Sequence, residues 1–310
     1  MLRRLAGLIL MLNVLAASFG PVLADDAVWP AAVTKAEVQR LLQSLPASTD
    51  AWEAARPKLI RWLQDQRGAQ EPIRWVLSDE VLEGEDHKLC AMHCEAEVNG
   101  ATRPIAYGGL KVPAQHVGRG PAVLLFSDVA APREGLPWSD NVTKSSVMFK
   151  ASDDLTQAGF VLLSANQVSK PTCAAEADRL AVQFLMERPE VDPDRVAIVG
   201  LGNAARRAWR VAALDERIAA VVSLGTPAAA NWDDEIMFSL IAPRPHRLAV
   251  DTAVIRDRQA SIRHWITGPQ RLYELHDLPA LFSTRLGARF STEKDSAAWQ
   301  DMVTWLKDEL

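Results

Sequence analysis

The 310-residue sequence predicts an α/β protein: a doubly wound, mostly parallel sheet with an antiparallel N-terminal edge and a helical N-terminal preface. Three observations carry this. From Pro121 onward, short apolar runs of strand type alternate with stretches of helical period, the pattern of a sheet covered on both faces. One of those runs, Val196 to Val199, enters a tight turn at Gly200-Leu201-Gly202 and leaves it as an Ala- and Arg-rich helix. Ahead of them, Asn99-Gly100 lies between two long alternating segments and signals a hairpin. The composition, 48% hydrophobic and 24% charged, belongs to a globular chain rather than a disordered one. The formal net charge of −5 offers no basic surface and argues against a nucleic-acid partner.

The first 24 residues read as a signal peptide, not as fold. Arg3 and Arg4 form a charged start, Leu5 to Phe19 is nearly all apolar, and Val22-Leu23-Ala24 precedes Asp25 with a cleavable pattern. No Cys follows the run, so a lipid anchor has no support. The mature protein is expected to be exported, periplasmic or extracellular, with no membrane contact after cleavage.

Residues 25–70 are expected to form the helical preface. Thr34 and Glu37 make a capping box ahead of Val38, Leu41, Leu42 and Leu45. Ser48 then caps a second helix carrying Trp52, Leu59, Trp62 and Leu63, with Pro57 near its start or at a kink. Residues 71–310 form the main domain. Its first strands are Ile73 to Leu77, Leu89 to Val98 and Ala101 to Val112. The alternation then gives strands at Ala122–Phe126, Phe160–Ser164, Val196–Val199, Ile218–Leu224, Arg247–Val250 and Arg271–Leu275. Helices fall at Ser145–Ala158, Ala174–Arg188, Ala204–Leu214, Arg258–Trp265 and Asp295–Lys307. No repeat or low-complexity linker divides this span.

Three stretches inside it resemble a known group. They are Val191 to Val199, Leu214-Asp215-Glu216-Arg217-Ile218-Ala219-Ala220-Val221-Val222, and Leu240-Ile241-Ala242-Pro243-Arg244-Pro245. In order and spacing they are similar to α/β-hydrolases of the acetyl xylan esterase and dienelactone hydrolase type, over roughly residues 105–310. The resemblance implies the α/β-hydrolase fold and a Ser–His–Asp ester hydrolase, in which a serine is raised on a G-x-S-x-G elbow after a central strand.

Carried over residue by residue, that site is degenerate. Gly200-Leu201-Gly202-Asn203-Ala204 stands at the elbow, and Gly202 holds the serine position without a side chain. The oxyanion loop, usually His-Gly after the first buried strand, reads Ser127-Asp128. The acid is expected near Val254, flanked by Asp251 and Asp257. The base is expected near Ala288 or Arg289, and the nearest candidate is His276, which the reading places directly after the last strand.

Other residues carry candidate chemistry, each with a structural role as its alternative. Ser127, Ser164 and Ser223 end strands, but a hydroxyl without an adjacent base is a poor nucleophile. His87, Cys90, His93 and Cys94 are the densest set of metal-ligand types. On an alternating strand the two Cys take one face and the two His the other, so no metal is assigned. Cys90, Cys94 and Cys173 allow one disulfide, with the pairing open. Arg206, Arg207 and Arg210 make a small basic patch after the elbow. The expectation is an exported α/β-hydrolase relative that has lost its ester chemistry and acts by binding or as a structural component, without a cofactor. Its ligand is unknown, with esters and carbohydrate derivatives the candidate classes. The alternative is a carboxylic ester hydrolase with a rearranged site.

Overall fold

The computed structural model describes residues 37, 48–65, 72–127, 147–166, 173–225, 232–251, 266–288 and 296–310. Among them, Val33–Leu310 forms one compact unit. The expected signal peptide, the capping box at Thr34, the helix at Arg258–Trp265 and residues Asp128 and Asp257 lie outside the described residues.

Among the described residues, nine strands make one sheet in the order β1-β2-β3-β5-β4-β6-β7-β8-β9. They are β1 (Ile73–Glu83), β2 (His87–Val98), β3 (Ala101–Pro113), β4 (Gly120–Phe126), β5 (Val161–Ala165), β6 (Val191–Leu201), β7 (Ala220–Leu224), β8 (His246–Asp251) and β9 (Phe282–Ala288). β1, β2 and β3 pair antiparallel, and β3 meets β5 antiparallel. Every pairing from β5 through β9 is parallel. The hairpin turns as expected: Asn99 and Gly100 take φ of 55° and 74°, and Val98 faces Ala101 across a two-residue loop.

The helices are α1 (Thr49–Asp65), α2 (Val147–Gln157), α3 (Ala174–Met186), α4 (Ala205–Leu214), α5 (Trp232–Ile241), α6 (266–275) and α7 (Ser296–Glu309). Strand residues alternate between two cores. Val196, Ile198 and Val221 join one core with α1, α3, α4, α5 and α6, while Ala197, Val199 and Val222 join another with α2 and α7. Burial on both faces is what the unbroken apolar runs of a parallel sheet require. Ser48 caps α1 as expected, accepting the Ala51 N–H at 3.3 Å. Pro57 lies inside that helix rather than near its start.

One element is corrected. Arg271–Leu275, expected as the last strand, is the end of α6, and the last strand is β9. Ile266, Leu272 and Tyr273 are all buried and share one helical face.

Arg244 ties the second and third of the three sequence stretches to each other. Its guanidinium donates to the carbonyls of Ala212, Asp215, Ile218 and Ile241 at 2.5–3.2 Å, closing the C-terminal ends of α4 and α5. Tyr273 donates to the Arg244 carbonyl at 2.6 Å. Burial lowers the Arg244 pKa to about 10, still well above neutrality, so it keeps its charge.

Candidate functional site

β6 lies between β4 and β7, near the middle of the sheet, and the chain leaves it through a 3₁₀ turn at Gly202–Ala204 into α4. Close packing dictates the small residues. A Cβ on Gly200 would stand 2.5 Å from Ala205 Cα and 2.9 Å from Ala208 Cβ, so only glycine lets α4 fold back against the strand. Gly202 takes φ +60°, the left-handed region that side chains disfavour. Gly225, leaving β7 at φ +85°, is so close that its Cβ would lie 3.2 Å from Gly202 Cα. Ala204 is buried. The elbow therefore keeps a sharp strand-to-helix geometry with backbone alone at its apex.

The basic patch is not an open cationic surface. Arg206 makes two hydrogen bonds to the fully buried Asp234 of α5, at 2.8 and 2.7 Å. Arg207 is held by Asp178 of α3 at 2.6 Å, lies over the Phe126 ring at 4.4 Å and reaches the Ala165 carbonyl at 3.4 Å. These pairs fix the first turn of α4 to α3, α5 and the ends of β4 and β5. Arg210 lines a cavity of about 240 Å³ with Arg179, Asp215 and Arg217. Arg217 is held by Asp215 and Arg179 by Glu176, so the cavity wall is largely charge-balanced.

Two of the proposed substitutes share the elbow's end of the sheet. Ser127 directly follows Phe126, which faces Gly200, and is buried. Asp251 closes β8 at the same carboxyl end, two strands from β6. His276 does not join them. It follows α6 and precedes β9, whose first residue Phe282 pairs with His246 at the start of β8, so His276 belongs to the opposite, amino end. The misassigned strand had placed it after the sheet rather than before its last member.

Ser164 is structural. Its hydroxyl accepts from the Gly109 N–H and donates to the Gly109 carbonyl, both at 3.2 Å, tying β5 to β3. Ser223 meets a base that the sequence reading missed: its Oγ stands 3.3 Å from His246 Nε2 and accepts the Trp209 indole N–H. Both residues are 0% exposed, enclosed by Trp209, Phe238 and Phe282. Burial pushes the His246 pKa down to about 3, and no hydrogen bond from the described residues reaches its Nδ1. A sealed serine–histidine contact with no orienting acid is core packing rather than a reaction centre.

The four ligand-type residues on β2 stay split. The strand is regular from His87 to Cys94, so Cys90 and Cys94 occupy one face and His87 and His93 the other. His93 is engaged by Glu95 at 3.0 Å. Among the described residues, no group of three His, Cys, Asp or Glu side chains could hold a metal ion.

No protein-family model and no curated protein matches the sequence. Solved structures do. A glucuronoyl esterase from Solibacter usitatus is 14% identical, with 92% of this chain and 100% of that one covered and a TM-score of 0.61. A glucuronoyl esterase from Teredinibacter turnerae is 16% identical over 97% and 98%, with a TM-score of 0.61. A candidate acetyl xylan esterase from Bacteroides fragilis is 12% identical over 93% and 97%, with a TM-score of 0.59. At these identities the likeness speaks to architecture. With its mixed edge, its parallel centre and a strand–elbow–helix unit in mid-sheet, the chain has the α/β-hydrolase fold, in the arrangement these esterase structures share.

Proposed function

We propose that this chain uses the carboxyl end of the sheet to bind an ester or carbohydrate-derived ligand without cleaving it by a serine nucleophile at the elbow. The observation that carries this is Gly202. It occupies the apex of the turn at φ +60°, where the fold presents a nucleophile, and it has no hydroxyl to attack with. Of the three strand-end hydroxyls, Ser164 and Ser223 are committed to backbone or core contacts. The reading includes export, which N-terminal sequencing of secreted protein would test by finding Asp25 first.

The structural neighbours favour a second reading, a carboxylic ester hydrolase with a rearranged site. They are esterases by name, and Ser127 and Asp251 do share the elbow's end of the sheet. One experiment separates the two. The purified chain is offered acetyl and glucuronoyl methyl esters, and in parallel a serine-directed phosphonate. The binding reading expects neither turnover nor labelling; a phosphonate adduct on Ser127, lost in Ser127→Ala together with turnover, would establish the hydrolase instead.

A further inference from the structure

Cys94 lies within β2, directly across from Trp75 of β1 and Ala106 of β3. Cys173 immediately precedes α3. What joins these distant positions is the Trp75 indole, which donates to the Ala177 carbonyl at 2.8 Å and holds the first turn of α3 over the β1–β2 pair. Ala177 is one helical turn beyond Cys173, so the two share the strand-facing side. Both cysteines are buried, at 0% and 3% exposure, in one small apolar cluster with Ala96, Ile105, Ala106 and Ala177. Cys90 is four residues earlier on β2, half-buried, and packs against the main core instead. All three are thiols in this structure.

We infer that Cys94 and Cys173 are a disulfide-forming pair that covalently joins β2 to the start of α3, with Cys90 left as the single thiol. The oxidant is a small-molecule or protein disulfide. One cysteine thiolate attacks a sulfur of that disulfide and releases one thiol; the second thiolate attacks the resulting mixed disulfide and releases the other. The two cysteine protons end on the two released thiols, and the two electrons reduce the donor disulfide.

Timing follows from burial. Desolvation, with the neighbouring Cys173 and Asp178, pushes the Cys94 thiol up to about 12, so the folded chain presents almost no thiolate there. The bridge therefore forms during folding, before the cluster closes. Its position gives it a consequence for the site. Asp178, in the second turn of α3, holds Arg207 beside the elbow, so a bridge at Cys173 anchors one support of that turn to the antiparallel edge.

The test refolds the full, reduced chain in a glutathione redox buffer and maps the peptides without reduction. The expected result is one linked pair, containing Cys94 and Cys173, whose mass is lower by two hydrogens. Its thermal midpoint should exceed that of the reduced sample by roughly 5–10 °C. Cys90→Ser should keep the link and the shift, whereas Cys94→Ser and Cys173→Ser should lose both. A link involving Cys90, or a refolded wild-type chain that retains three titratable thiols, would overturn the inference. The wild-type map decides the matter even if a variant fails to fold.

Discussion

At the residue scale, the elbow's two glycines do different work. Gly200 is demanded by packing and Gly202 by backbone conformation. Gly200→Ala drives a methyl to 2.5 Å from Ala205 Cα, a contact with backbone that cannot swing aside. The expected cost is about 1–3 kcal/mol in denaturant unfolding, the range for overpacked cores. Gly202→Ser should leave ester hydrolysis undetectable, because no described histidine is placed to act on it: His276 lies at the amino end of the sheet, and His93, level with the elbow by register, is four strands away and engaged by Glu95; strong recovered turnover would show that only the nucleophile had been lost.

His246 supplies a pH signature. Its folded pKa is depressed to about 3 by burial, while an unfolded histidine titrates near 6.5. Between those values the unfolded chain binds the proton and the folded chain does not. Stability from this group is therefore complete above about pH 6.5 and falls as the pH drops toward 3. The slope approaches about 1.4 kcal/mol per pH unit. His246→Leu should flatten that limb in unfolding curves measured across the acid range.

Legibility differs from element to element, and the reasons are physical. The hairpin was readable because Asn99 and Gly100 are the residues that tolerate left-handed backbone. β4, β5 and β7 were readable because central parallel strands bury both faces and so appear as plain apolar runs. α6 was misread because the alternating Arg271-Leu272-Tyr273-Glu274-Leu275 fits a strand locally, and tertiary burial of one helical side decided otherwise. That single error moved His276 from the wrong end of the sheet into the candidate site. The salt bridges around the elbow were not readable, since nothing local marks Asp178 and Asp234 as buried partners of arginines on another helix. Their weight can be measured. Arg207 and Asp178 are 16% and 4% exposed, so Asp178→Ala strands a mostly buried guanidinium. The expected loss is about 3 kcal/mol, with α4's first turn the earliest to gain amide exchange.

At the scale of the whole molecule, the preface helix and the sheet share a core. Trp52, Leu59 and Leu63 of α1 are each no more than 2% exposed and belong to the same apolar cluster as Trp209, Ile236 and the central strand residue Ile198. Arg56 adds an ion pair to Glu216 at 2.9 Å, next to the turn that Arg244 closes. If α1 were an independent appendage, a cavity in it would melt the helix and spare the sheet. Sharing one core, it cannot fail alone: a void beneath Leu59 removes contacts from the layer of helices that supports the elbow. Leu59→Ala is therefore expected to destabilise the entire unit by about 2–5 kcal/mol, the range for truncating a buried leucine. Far-ultraviolet circular dichroism and tryptophan fluorescence should report one coincident transition at a lower midpoint. Two separated transitions, with only the smaller one moved by the substitution, would show that α1 folds on its own account and that the elbow's support ends at the sheet.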